Sequence, residues 1–257
     1  MFTRAITRRP CRALIDGITT AMFGEGAPVY EDAVRQHDMY VAVLRELGLA
    51  VTELEADERY PDSCFVEDPA VVMEHCAVIT NPACASRNGE KHEIIHAIRE
   101  FYDEDKIFFI EAPGTMEGGD IMQVGKHFYV GLSERTNREG ARQFEEIVGC
   151  FGYGVTTIPV TEGLHLKDFV IYLDNNHMLV TANMNEHPAF QSFERYVIPP
   201  EELYAINSMY INGTVLVPDG YPRTLQLIQE LGYPVRLVDT GEFRKIDGSL
   251  TCLSLRF

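Results

Sequence analysis

The chain repeats itself. A helix, a strand, a loop bearing a polar or reactive residue and an apolar hairpin recur along it. The loop residues Glu67-Asp68, Glu117, His165, Asn207 and Cys252 stand roughly 42 to 50 residues apart. Repetition at that period means that each unit buries its apolar face against its neighbour. An acid, a base and a thiol that are distant in sequence then meet around one axis. The 257 residues are 46% hydrophobic and 24% charged, enough for a full core. No Ser/Gly/Pro-rich linker or low-complexity tract interrupts residues 1–257, which are expected to form a single domain.

Five units are readable. The first has a helix near Asp32–Leu47, ended by Gly48, a strand Val51–Leu54, and a hairpin from Ala70-Val71-Val72-Met73 and Ala77-Val78-Ile79. The second has a helix near Glu90–Phe101, a strand Ile107–Ile110 and a hairpin turning at Gly125-Lys126. The third has a helix near Asn137–Val148, a strand near Val155–Val160 and a hairpin turning at Asp174-Asn175-Asn176. In the fourth, Phe190, Phe193 and Tyr196 suggest a short helix, and Asn212-Gly213 is a strong hairpin dipeptide. The fifth has Leu225, Leu227, Ile228 and Leu231, then a strand Val235–Val238, but lacks its last hairpin strand. Thr3–Thr7 can supply that strand and close a ring. Five helix-bearing units in a circle make a five-bladed α/β propeller with a central active site.

A net charge of −17 without a basic stripe excludes nucleic acid as partner. No run of about 18 apolar residues is present, so no membrane association is expected. Arg4, Arg8 and Arg9 are not followed by an apolar signal core. The six cysteines form no CxxC pair and fit the reduced thiols of a cytoplasmic protein.

Cys252 is read either as a structural thiol or as a nucleophile. Its place in the repeat and its small polar neighbours Gly248, Ser249, Thr251 and Ser254 point to the second. His165 is then its acid/base partner. Glu117, in a Gly-rich loop, orients His165 or binds a cation. With Asp62, Glu67 and Asp68 the axis collects several carboxylates. These would disfavour a thiolate and repel anions, so they suit a planar cation with many N–H donors, namely guanidinium. Arg87, Arg135 and Arg223 occupy matching places after a hairpin and before a helix. They are either surface residues or a grip on a substrate carboxylate. Guanidinium at one end and carboxylate at the other describes an arginine derivative. His92-Glu93-Ile94-Ile95-His96 matches the zinc-protease HExxH pattern. It lacks a third ligand, and helix period turns its isoleucines inward, so no metal is assigned.

The motifs Phe65-Val66-Glu67-Asp68-Pro69, Glu111 to Met122, Ser133-Glu134-Arg135-Thr136-Asn137, Leu164-His165-Leu166-Lys167 and Cys252 to Phe257 carry a resemblance. From end to end the chain resembles the dimethylarginine dimethylaminohydrolase family, within the guanidino-group-modifying superfamily. The resemblance implies Cys252 as nucleophile, His165 as acid/base and Glu117 as supporting carboxylate. It implies Asp62, Glu67 and Asp68 at the guanidinium, and Arg87 and Arg135 at the substrate carboxylate. It places Ile18 in a lid and gives Ile246 a backbone contact. Relatives acting on free arginine typically carry Asp two residues after the histidine, where this chain has Lys167. Close relatives tend to have Leu and Ser where Ile18 and Thr251 stand. The implied reaction cleaves methylated arginines to citrulline and an amine with no cofactor, and a homodimer is left open. The alternatives are a deiminase-like enzyme acting on free arginine and a non-catalytic methylarginine-binding protein. No chemical role is assigned to Asn207.

Overall fold

The computed structural model describes residues 1–24 and 26–257. In chain order they form β1 (Arg4–Arg8), α1 (Tyr30–Glu46), β2 (Ala50–Leu54), β3 (Ala70–Val72), β4 (Ala77–Ile79), α2 (Glu90–Ile98) and β5 (Ile107–Phe109). Then come β6 (Ile121–Val124), β7 (His127–Leu132), α3 (Arg138–Gly149), β8 (Gly154–Pro159), β9 (Val170–Tyr172), β10 (His177–Val180), α4 (Ala182–Asn185) and β11 (Glu194–Val197). The last are β12 (Met209–Ile211), β13 (Thr214–Pro218), α5 (Pro222–Glu230), β14 (Val235–Val238), α6 (Gly241–Arg244) and β15 (Leu255–Arg256).

The strands form five three-stranded sheets, β15-β1-β2, β3-β4-β5, β6-β7-β8, β9-β10-β11 and β12-β13-β14. In each, the first two strands pair antiparallel and the last two pair parallel, with a helix or helical segment in the parallel crossover. The first-named strands β15, β3, β6, β9 and β12 line one central funnel, so these sheets are the blades of an α/β propeller. β1 sits between β15 and β2, which closes the ring as expected from Thr3–Thr7.

The units read from the sequence are offset from the blades. Each helix–strand–loop–hairpin unit begins with the outer strand of one blade and continues into the inner strands of the next. Its loop therefore has to cross the axis-facing end of the ring. That crossing is what delivers five loops to one place.

There is no single core. Five apolar wedges lie between neighbouring blades, and alternate residues of each middle strand feed different wedges. Phe128 and Val130 of β7 face β4, while Tyr129 faces β9 and β10. Ala5 of β1 packs with Leu216, and Ile6 packs with Ile79 and Ile94. Because both faces are covered, these strands read as continuous apolar runs rather than alternating ones.

The fourth blade differs from expectation. Phe190, Phe193 and Tyr196 do not form a helix: Phe190 ends a short 3-10 turn begun by Pro188, and Tyr196 lies in β11. The only α-helical turn there is α4, capped by the Thr181 hydroxyl. The aromatic spacing mimics a helix because Phe190 and Phe193 both pack on the Tyr129 ring from a turn. Asn212-Gly213 does turn the hairpin, with positive φ at both residues.

Because Ile6 is fully buried in the closing strand, Ile6→Ala is expected to cost about 2–5 kcal/mol. Urea midpoints at unchanged m-value will measure it.

Candidate active site

The five loops, 55–69, 110–120, 160–169, 198–208 and 239–254, are stitched together by their own polar groups. The N–H groups of Gly118 and Gly119 donate to the Asp68 carbonyl (3.1 Å) and carboxylate (3.0 Å). Asp120 accepts from the Leu166 N–H at 2.9 Å. The Asn207 amide donates to the Lys167 carbonyl (3.4 Å) and the Thr251 hydroxyl (3.2 Å), and accepts from the Thr251 N–H (3.0 Å). The Thr251 hydroxyl donates to Glu67 at 2.8 Å, and the Glu67 N–H donates to the Cys252 carbonyl at 3.2 Å. Asn207 is thus a strut between the third and fifth loops. The paired glycines are required by approach distance. A Cβ at Gly118 would sit 1.9 Å from the Glu67 carbonyl, and one at Gly119 would sit 2.4 Å from His165 Nδ1.

In front of this ring is a cavity of about 20 Å³. Ile18, Asp62, Asp68, Arg87, Glu117, Arg135, His165, Ile246 and Cys252 line it, together with Phe65, Leu164, Asp247 and Gly248. Of the segment before α1, Ile18 borders the cavity. The Ile18 N–H donates to Asp62 at 3.1 Å, Thr20 donates to Asp247, and Phe23 packs edge-on against Tyr204.

One expected residue lies elsewhere. Glu67 does not line the front cavity. Its carboxylate pairs with Lys167 and accepts from Thr251 and, at 3.5 Å, from Arg256. These residues floor the rear funnel, about 470 Å³ in volume. Glu67 and Asp68 are successive residues of the turn that leads into β3, and their side chains diverge there, Asp68 to the front and Glu67 to the rear. Lys167 and Asp168, in the 3-10 turn Leu166–Asp168, diverge as well. Lys167 goes to Glu67, and the Asp168 carboxylate accepts the His165 backbone N–H at 3.0 Å. Asp168 is held near 6, raised by burial and opposed by His165.

Arg87 is buried and anchored by Glu90, Asp68 (2.5 Å) and the carbonyls of Asp62 and Phe65, which leaves one Nη1–H free. Burial works against its charge, but Glu90 and Asp68 keep it firmly protonated. Arg135 touches Glu117 at 3.5 Å and keeps most of its donors free. Arg223 is outside the site, paired on the surface with Glu201.

His165 Nε2 bonds Glu117 at 2.8 Å and lies 3.9 Å from Asp68. Burial lowers its proton affinity, but Asp68, the bonded Glu117 and Asp120 outweigh that and raise its pKa to about 10. Cys252 is pushed up to about 12 by burial and then by Glu67 and Asp68. The resting pair is therefore an imidazolium and a neutral thiol. No hydrogen bond joins them; the thiol instead neighbours the Ser249 hydroxyl at 3.7 Å.

Asp68, Glu117 and His165 bring donor atoms within 4.8 Å of one another, but Arg87 and Arg135 already match their charge. A second such group is His37, Asp38 and Glu53, with Arg9 bridging the two carboxylates. Neither group contains His92 or His96. Both are exposed on α2, and Glu93 pairs with Arg59 at 3.0 Å.

Sequence reasoning passed over Asp120 and Asp247. Asp120 stands in the quoted Gly-Gly-Asp run, and its burial beside His165 is visible only in space.

The family model described as "N,N dimethylarginine dimethylhydrolase, eukaryotic" matches residues 10–185. The N(G),N(G)-dimethylarginine dimethylaminohydrolase of Pseudomonas aeruginosa is 46% identical over all of both chains. That of Streptomyces coelicolor is 33% identical over 98% of this chain and 96% of its own. The solved structure of a cysteine-to-serine mutant of the Pseudomonas enzyme, complexed with citrulline, superposes with a TM-score of 0.97 at 46% identity over all of both chains. The N-terminal domain of ArgZ shares the fold at 18% identity, with a TM-score of 0.87 over 100% of this chain and 97% of its own.

The resting protonation states have a measurable consequence. Alkylation of Cys252 by iodoacetamide, followed by peptide mass spectrometry, is expected to rise about tenfold per pH unit between about pH 7 and 9. A plateau below pH 8 would show a thiolate already present.

Proposed function

The chain belongs to the dimethylarginine dimethylaminohydrolase family, and from that we propose how its front cavity works. The protein is a hydrolase that converts N-omega-methylated arginines to citrulline and dimethylamine or methylamine. The carrying observation is a buried neutral thiol facing an imidazolium and carboxylates, a site that a guanidinium cation completes electrostatically.

In this reading the guanidinium lies over Cys252 against Asp68. Arg135 and the free Nη1–H of Arg87 receive the substrate carboxylate, and Asp62 and Ile18 meet its amino-acid end under the lid. Ile246 contributes from its backbone. Glu67 acts one layer behind, through Thr251 and the Cys252 backbone. The bound cation offsets Asp68 and lets the thiol lose its proton to solvent. The thiolate adds to the guanidinium carbon, giving a neutral tetrahedral adduct. His165, already protonated and held by Glu117, gives its proton to the departing amine. A thiouronium cation remains on sulfur. Neutral His165 then takes a proton from water as the oxygen attacks the same carbon. Expulsion of the thiolate leaves a protonated urea, whose proton passes to solvent, and citrulline is released. Thiolate and imidazolium are both regenerated. Acid/base work of this kind is worth about 10²–10⁴-fold.

Lys167 supports methylated over free arginine. Its side chain is committed to Glu67 on the rear side, so the front cavity has no carboxylate at the second position after the histidine. Residues 1–257 are taken as one functional unit, since all five loops build or brace the site. A cytoplasmic setting belongs to the same reading and is supported by six free thiols. No described helix is long and apolar enough to cross a membrane.

Citrulline formation should be assayed against arginine, monomethylarginine and the dimethylarginines. Turnover is expected with monomethylarginine and asymmetric dimethylarginine and at most marginally with arginine. Cys252→Ser is expected to abolish turnover while still binding. If it retained substantial activity, the nucleophile assignment would be wrong.

A further inference from the structure

Away from the axis, one buried side chain has no work assigned to it. His37 of α1 is fully buried, and neither of its ring nitrogens has a hydrogen-bond partner. His165, the other buried histidine among the described residues, is paired. Leaving both nitrogens of an imidazole unpaired away from water is costly. Burial, with Arg9 behind it, keeps the ring neutral, so one nitrogen carries a free lone pair.

The ring is aimed at carboxylates. Its Nδ1 lies 3.9 Å from Glu53 Oε2, and ligand atoms of His37, Asp38 and Glu53 all fall within 4.8 Å of one another. Glu53 comes from β2 and the other two from α1. Two ligands of a tetrahedral zinc ion stand about 3.4 Å apart, so small side-chain rotations close this set around an ion. The competing cation is Arg9, which reaches Glu53 Oε1 at 2.9 Å and Asp38 at 3.5 Å. It sets one charge against two and leaves the imidazole unpaired. Its side chain is 39% exposed and is free to turn out into water. At the axis, by contrast, Arg87 is buried and held by Glu90, Asp68 and two carbonyls, so it cannot make way for an ion beside Asp68.

We propose that His37, Asp38 and Glu53 form a zinc-binding site separate from the active site, with Nδ1 and two carboxylate oxygens as ligands and water as the fourth. One imidazole with two carboxylates suits Zn²⁺ and balances its charge, whereas Ca²⁺ wants six or more oxygens. The ion takes the place of the Arg9 guanidinium, pairs Nδ1 and leaves the ring proton on Nε2. It ties α1 to the outer strand of the first blade. None of this depends on the methylarginine reading above.

The test titrates Zn²⁺ calorimetrically into the Cys252→Ser protein, which removes the axial thiol as a rival ligand. A zinc site is expected that Ca²⁺ does not fill and that His37→Gln abolishes. Arg9→Gln is expected to tighten it about tenfold, because the competing cation is gone. At zinc about 100-fold above its Kd the melting midpoint should rise by about 5–10 °C, and not in His37→Gln. Anomalous scattering at the zinc edge from soaked crystals should place the ion beside His37. If His37→Gln folds poorly, Glu53→Gln and Asp38→Asn change more exposed ligands and should abolish the same site. Undiminished zinc binding in folded Glu53→Gln and Asp38→Asn, no anomalous peak beside His37, or no binding below millimolar zinc overturns the proposal.

Discussion

Everything at the centre of this molecule depends on a closed circuit of hydrogen bonds among five loops. Irregular backbone buried on a propeller axis cannot use a sheet ladder, and buried N–H and C=O groups must still be paired. Here the Asp68 carboxylate takes the Gly119 N–H, Asp120 takes that of Leu166, and Asn207 pairs with the Lys167 carbonyl and Thr251 N–H; the Asp68 carbonyl takes the Gly118 N–H, and the Thr251 hydroxyl adds a link to Glu67. Each link fixes the relative height of two blades. The reactive side chains inherit their positions from those links, so Cys252, His165 and Glu117 are placed by residues that do no chemistry. Asn207 is the plainest case. Its whole chemical value is that an amide can donate on one side and accept on the other.

The circuit also divides the axis electrically. Glu67, Lys167 and Arg256 close the rear, and Asp62, Asp68, Glu117 and Asp247 face the front with Arg87, Arg135 and His165. Burial would neutralise such a crowd of ionisable groups if they were not paired. The pairing here holds an extra proton on His165 and keeps the thiol neutral, so the site rests in an unreactive state. In the proposed mechanism a cationic ligand shifts the balance toward the thiolate, and an anionic one does not. In that mechanism selectivity and activation have one electrostatic origin.

The repeat and its period disclosed most of the fold in advance, because apolar periodicity is local and each blade repeats it. Ring closure was legible too, from a final unit short of one strand. Cys252, His165, Glu117, Asp62, Asp68, Arg87 and Arg135 all line one cavity. What sequence could not convey was side. Glu67 and Asp68 are adjacent letters, yet they serve opposite ends of the axis. The fourth blade misled because turn-borne aromatics can share a helix's spacing. Asn207 and Asp247 were illegible because their meaning lies wholly in partners 40 or more residues away.

The closing strand has a consequence for how the protein comes into being. Four of the five axial loops can settle by meeting a neighbour about one repeat away. The fifth, which carries Cys252, meets the fourth in the same way through Asn207 and Thr251, but it must also meet the first loop through Thr251 and Glu67, and its strand β15 pairs with β1, Ala5 opposite Arg256 and Ile6 opposite Leu255. That contact spans roughly 250 residues, and contacts of long sequence separation form slowly. The seam between the first and last loops is therefore the slowest of the five to close, and it is the seam at which Cys252 meets Glu67. The thiol and the first loop's acids are brought together by the same contacts that join the two ends of the chain.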